Sequence, residues 1–195
     1  MTTTPLRKDA ARNWDRIVAV ARALVDEGTP LQLNDVAKRV GVGVGTVYRH
    51  FATPEALLET VAAPSLEALA AYGAAAVADP DPWRGFEGFL ARTVEAQVGD
   101  AALAPVTAAG ADALPRTTEL KAALRETGGI LFERARDAGV LRPGVTAADL
   151  MPLMCGVAYA VEVHGPGTGD PDRVATAHRY LGMLLGGLRA PDRRD

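Results

Sequence analysis

Thr46, Tyr48, Arg49 and His50 place four hydrogen-bond donors within about one and a half turns of a helix. Donors to oxygen at that density suit phosphates and base edges, and one helix carrying them fits a major groove. The patterns that would make the chain an enzyme are missing: no nucleophile stands beside a base in a known arrangement, so catalytic residues and cofactors are expected to be none. Gly41-Val42-Gly43-Val44-Gly45 looks superficially like a nucleotide loop, but it follows a helical pattern rather than a strand and lacks a downstream βαβ pattern. His164 and His178 have no Cys or carboxylate at metal-ligand spacing, so no metal site is expected.

The donors need a seat, and the stretch from Leu33 to Phe51 supplies one. Val36, Ala37 and Val40 lie three and four apart on one helical face, and Val47 with Phe51 repeats the spacing after a break. Gly41 stands at the break, where a sharp helix-to-helix turn calls for a left-handed residue, and Val42 can plug the angle. Upstream, Trp14, Ile17, Val18, Ala21, Leu24 and Val25 form an amphipathic stripe over 11–27, ended by Gly28. Three helices follow, with Trp14, Leu24, Val36, Val47 and Phe51 as the expected core of a small head.

GVGVGTVYRHF followed by ATPEALL resembles the recognition element of the TetR family of transcriptional regulators. The resemblance covers about the first sixty residues and implies that Tyr48 and His50 touch phosphates, that Thr46 binds a phosphate or base edge, and that Val44 and Arg49 face bases. Thr53 joins this set and also reads as the N-cap of the next helix, with Pro54 in its first turn. The chain departs from the family pattern at Gln32 and Gly43, where capping Ser or Thr is common, and at Pro54, where a Lys is common. Losing that Lys removes a phosphate contact and weakens the salt-dependent part of binding. The function implied is a repressor that binds a palindromic operator as a homodimer and is released by a small, largely apolar effector. The alternative keeps the fold but has a degenerate head, the protein binding an effector or partner without specific DNA binding.

Charge is segregated in the way such a head requires. Residues 1–52 carry eight Lys or Arg against five Asp or Glu, while the whole chain has a net charge of −3. The single Cys155, within an apolar helical run, reads as a small core residue and excludes an intramolecular disulfide. No apolar span of eighteen residues and no signal-peptide pattern are read, so no membrane contact and a cytoplasmic protein are expected.

The rest reads as helices. Met1 to Lys8 has no periodicity and is expected to be an arm; a helix from Thr53 is expected to bend or break at Pro64 and run on toward Ala78; Trp83 to Val98, about 101–108, Thr117 or Thr118 to Gly139, Thr146 to His164 and Asp170 to Arg189 complete the pattern. Gly165 to Gly169 reads as a loop. The expected fold is all-α with about nine helices: a helix-turn-helix head over 1–52 and an effector-binding and dimerisation body over 53–195. Tyr72, Trp83, Phe86, Phe89, Thr93 and Gln97 are expected to line an effector cavity beside the Pro64 bend and the Gly128-Gly129 pair, with Thr107 and Tyr159 as further polar groups of the body. Leu150, Met154, Val157, Val161, Val174, Leu181, Leu185 and Leu188, on two helices apolar on more than one side, are expected to form the dimer interface.

Overall fold

A computed structural model describes residues 5–165 and 172–190. Among them are nine helices: α1 (Pro5–Asp26), α2 (Leu33–Val40), α3 (Val44–His50), α4 (Pro54–Val77), α5 (Pro82–Gly99), α6 (Leu103–Ala108), α7 (Pro115–Asp137), α8 (Ala147–His164) and α9 (Asp172–Leu188). The only strand-like pairing in the described residues is an isolated bridge, Leu141 to Arg189, which ties the α7–α8 connection to the end of α9. Helices α1–α3 form the head. In the body, α5 is central and packs against α4, α6, α7, α8 and α9.

Several boundaries differ from the sequence expectation. Helix α1 begins at Pro5, so part of the expected arm is helical; Pro suits a first-turn position, where its missing N–H costs nothing. Residues 1–4 and most of the expected loop at 165–169 lie outside the described residues. Helix α4 runs unbroken through Pro64, because packing against α1, α5, α6 and α7 holds it on both sides of the proline. It also contains an apolar stretch long enough to cross a membrane by length and composition, which corrects the expectation of no such span. Trp14 is not in the head core: it is 39% exposed and lays its ring 6.3 Å from that of Phe51.

The helix ends in the body are closed by specific side chains. Asp81 caps α5 by accepting from the N–H groups of Trp83 and Arg84. Arg134 donates to the Val77 and Asp79 carbonyls at the end of α4, at 2.5 and 2.6 Å. The buried Glu59 carboxylate accepts from the N–H groups of Ala113 and Leu114, at 2.6 and 2.8 Å, and so anchors the start of α7 on α4. Thr146 and Asp149 form the expected capping box of α8.

One network joins head to body. Arg22 of α1 donates to both carboxylate oxygens of Asp100, at 2.5 and 3.3 Å, and to the Val61 carbonyl of α4 at 2.5 Å. The Ser65 hydroxyl also donates to Asp100, as does the Ala102 N–H at 2.9 Å. Burial alone pushes the Asp100 carboxyl up, but the guanidinium, the hydroxyl and the N–H together hold it below the usual aspartate value. Neither Arg22 nor Asp100 was singled out from sequence; an Arg immediately after the apolar Ala21 of the α1 stripe was the available signal.

The crossing of α4 and α7 is set by small residues around Phe89. A Cβ on Gly73 would stand 2.8 Å from the Thr127 methyl and 3.0 Å from the Phe89 ring, whereas one on Gly129 would meet nothing within 4 Å. Gly73→Ala therefore lowers unfolding stability by about 1–3 kcal/mol through overpacking. Gly129→Ala raises it by about 0.5–1 kcal/mol through helix propensity. Urea unfolding of the two variants measures both signs. Asp100→Asn is expected to cost on the order of 1–3 kcal/mol, since it leaves the partly buried Arg22 guanidinium with only the more distant Asp26, at 3.7 Å, as an acidic neighbour. The pH dependence has a definite sign. The unfolded carboxyl titrates near 3.8 and the folded one lower, so the stabilisation is fully present above 3.8 and is lost as pH falls through the folded value. A wild-type minus Asp100→Asn stability difference that shrinks below pH 3.8 is the expected result.

Candidate nucleic-acid interface and ligand cleft

Helix α3 is seated by Val47, fully buried, and by Phe51 at its C-terminal end. The turn before it has the expected form: Gly41 is left-handed at φ 75°, and the Gly41 and Val42 N–H groups return to the Ala37 carbonyl at 3.0 and 3.1 Å. Arg16 of α1 donates to the Val40 carbonyl at 2.5 Å and closes the end of α2. Neither Gln32 nor Gly43 makes a side-chain cap, as the departures at those positions implied. Thr53 caps α4, its hydroxyl oxygen accepting from the Ala56 N–H at 3.1 Å.

On this seat Val44 and Tyr48 are 41% and 50% exposed, Arg49 and Thr53 are exposed, and Thr46 and His50 are half-buried. The His50 ring lies tilted 6.3 Å from Phe51. The structure thus brings five of the six residues together on α3 and sets Thr53 at the start of the next helix. Neighbouring cations are engaged: Lys38 with Asp35 at 3.3 Å and Arg39 with Glu27 at 3.0 Å. Arg49, by contrast, has no carboxylate partner among the described residues.

The expected effector wall is placed differently. Trp83, Phe86, Phe89 and Thr93 are buried core residues, with Phe86 fully enclosed between Trp83 at 5.9 Å and Phe132 at 6.3 Å. The reason is the shape of α4 and α7: Gly73 and Gly128 let both helices close onto the Phe89 ring, so the aromatics fill the space rather than border it. Tyr72 is 41% exposed. Of the six, only Gln97 lines the large cleft bordered by α1, α5, α6, α8 and α9.

That cleft, about 1010 Å³, lies under the head. Its walls are Val25, Asp26 and Gly28 at the end of α1, residues 97–99 at the end of α5, α6 with Ala104, Pro105 and Thr107, and facing residues of α8 and α9. Thr107 and Tyr159, named from sequence, line it; Arg173 and Glu162, which were not, pair with each other across α8 and α9. Arg173 also donates to the Val98 carbonyl at 3.1 Å. Cys155, expected in the core, is half-buried on the cleft wall. The aromatics at 83, 86 and 89 are not in its wall, which mixes small residues such as Gly28, Ala104 and Ala158 with Gln97, Tyr159, Glu162 and Arg173.

The expected interface residues are also corrected. Leu150, Met154, Val161, Leu181, Leu185 and Leu188 are buried within the protomer, and only Val157, half-buried, and Val174, 37% exposed, reach the surface. The strongest apolar stripe of each helix packs on α5 and on the other helix. What remains outside is a second stripe: Met151, Tyr159, Val163 and Met183, between 37% and 70% exposed, beside Gly156, Gly182 and Gly186, whose Cβ positions are open.

Two family models match the chain. Residues 81–190 match the "Transcriptional regulator SbtR-like, C-terminal domain" and residues 17–61 match "Bacterial regulatory proteins, tetR family". An HTH-type transcriptional regulator of Staphylococcus aureus strain USA300 is 46% identical over 48 residues, 24% of this chain and 26% of that protein, so the match spans about a quarter of the relative. A TetR transcriptional regulator from Streptomyces coelicolor is 27% identical, with 90% of this chain and 97% of that one covered at a TM-score of 0.55. A tetR-family regulatory protein from Rhodococcus RHA1 shares the fold at a TM-score of 0.68 and 17% identity, over 92% and 98% of the two chains. With more than half of its length matched by the C-terminal model and its helix-turn-helix by the N-terminal one, the chain belongs to the TetR family of transcriptional regulators.

Proposed function

We propose that this regulator is a repressor: a homodimer that holds a palindromic operator through two α3 helices and lets go when a small, largely apolar effector enters the body. The observation that carries the DNA reading is the exposed Arg49, without a carboxylate partner among the described residues, on a helix fixed from beneath by Val47 and Phe51. A guanidinium so placed can bind guanine through two hydrogen bonds, while Tyr48, Thr46 and His50 on the same helix suit phosphates. The DNA-binding unit is taken as 1–52 and the effector and dimerisation unit as 53–195, with α4 the element that passes between them.

The dimer reading is supported by the exposed second stripe of α8 and α9, which combines medium apolar side chains with glycines that permit close helix approach. Two α3 helices related by a dyad then meet half-sites one helical turn, or a multiple of it, apart. Helix α1 carries any change in the body to α3, since Arg22 holds it to Asp100 and Arg16 holds it to the end of α2.

Fluorescence anisotropy on the operator and on scrambled duplex separates the roles of the α3 residues. Arg49→Ala should lose about 1–3 kcal/mol of discrimination at one position of each half-site. Tyr48→Phe should weaken binding equally on all sequences, because a phosphate contact carries no sequence information. If both variants bind the operator as the wild type does, the degenerate-head reading is the better one.

Sedimentation tests the assembly. Wild type should run at twice the 20.4 kDa chain mass. Gly182→Arg and Gly186→Arg, which the protomer has room for, should run as folded monomers with much reduced operator affinity. A dimer that survives both substitutions places the interface elsewhere.

A further inference from the structure

Among the described residues, Gln97 is the one buried side chain whose polar atoms lack any partner: it is 4% exposed, and neither Nε2 nor Oε1 is hydrogen-bonded. Other buried polar groups nearby are engaged, Thr93 with the Phe89 carbonyl at 2.8 Å and Asp100 with Arg22, Ser65 and Ala102. A buried carboxamide with nothing to bond is unfavourable by the desolvation of both its donor and its acceptor. Gln97 lies on the wall of the cleft beneath the head, so a molecule in the cleft is what can reach it.

The surroundings narrow the chemistry of that molecule. Most of the wall is apolar, from Val25, Val98, Pro105 and Val174 among others. Its charged groups are Asp26, Glu162 and Arg173, and Arg173 already serves Glu162 and the Val98 carbonyl. An anion would therefore meet two carboxylates and one cation that is already engaged, and a neutral body is favoured. A carboxamide presents a donor and an acceptor side by side. Its best complement is a group with the same pair reversed, an N–H next to a C=O on the same edge.

We infer that the cleft binds a neutral, largely apolar molecule bearing a lactam, imide or primary amide, paired with the Gln97 carboxamide through two hydrogen bonds. That this molecule is the effector rests on the reading under Proposed function. The route to the head is short: Gln97 stands one helical turn before Asp100, and the end of α1 lines the same cleft. The ligand moves the head only to the extent that it fits one α1–α5 arrangement better than another.

The test is an NMR titration of the full-length dimer or monomer with a matched fragment set: lactams and primary amides, each paired with its N-alkylated counterpart of the same skeleton. Deleting the peaks by Gln97→Leu assigns the Gln97 side-chain NH2. The expected result is that N–H-bearing fragments bind about tenfold more tightly than their alkylated partners and shift the Gln97 NH2 peaks. Gln97→Leu should abolish that preference without lowering the thermal midpoint of the free protein, because it removes two unpartnered polar atoms and keeps an apolar side chain of similar size. Equal affinity in the two halves of the set, no fragment that shifts the Gln97 peaks, or a lowered midpoint in Gln97→Leu each overturn the proposal. A DNA arm keeps the two readings apart. Fragments that shift Gln97 but leave operator affinity unchanged uphold the site and remove the effector role, whereas fragments that release DNA without touching Gln97 uphold the effector role and overturn the site.

Discussion

The arrangement of head on body hangs on the contact between Arg22 and Asp100. Helix α1 also packs along α4, and a bidentate ion pair tolerates sliding far less than such packing does. The pair sits where three elements meet, with Ser65 and the Val61 carbonyl of α4 completing it. Such a pair is weak support for overall stability, since desolvation offsets much of its attraction. Its stronger consequence is registry, fixing which turn of α1 faces the end of α5.

Registry matters because the aim of α3 depends on the helices that seat it. Helix α3 is seven residues long and uncapped at its start, so its orientation is inherited from α1 and α2 through Val47, Phe51 and the Arg16 contact to Val40. A rotation of α1 by one side-chain position would re-aim Tyr48 and Arg49 together. The same helix that fixes α3 also supplies a wall of the cleft.

The head could be read from sequence because its determinants are local. The apolar spacing of Val36, Ala37 and Val40, the left-handed Gly41 and the donors on α3 all fall within nineteen residues, and each obeys a rule of helix geometry that needs no tertiary information. Trp14 shows the limit of that reading: periodicity placed it on the inner stripe, but at the end of the stripe the ring lies beside Phe51 rather than beneath it. In the body, periodicity identified helices and the inner face of α4, where Leu57, Val61, Leu66 and Leu69 are buried, but not which apolar residues of α8 and α9 face out. On α8 and α9 Leu150, Met154, Leu181 and Leu185 turn inward, while Met151, Tyr159, Val163 and Met183 stay outside, a choice that residue size and periodicity do not make. Aromatics at 83, 86 and 89 suggested a cavity wall for the same reason that they make a good core, and only the glycines of α4 and α7 decide between the two.

Gln97 belongs to neither kind of signal. On the helical wheel of α5 it continues the inward stripe of Phe86, Leu90 and Val94, so its burial follows from periodicity, but its lack of a partner is a property of the tertiary packing around the end of α5. A leucine there would complete the stripe and remove an unfavourable burial. Three residues on, Asp100 is equally unfavourable to bury, yet four donors surround it. The end of α5 therefore carries two costly polar groups of opposite condition, one satisfied by the protein itself and one left for something outside it. Because both lie on one turn of one helix, satisfying the second changes the surroundings of the first, and the head is attached to the first.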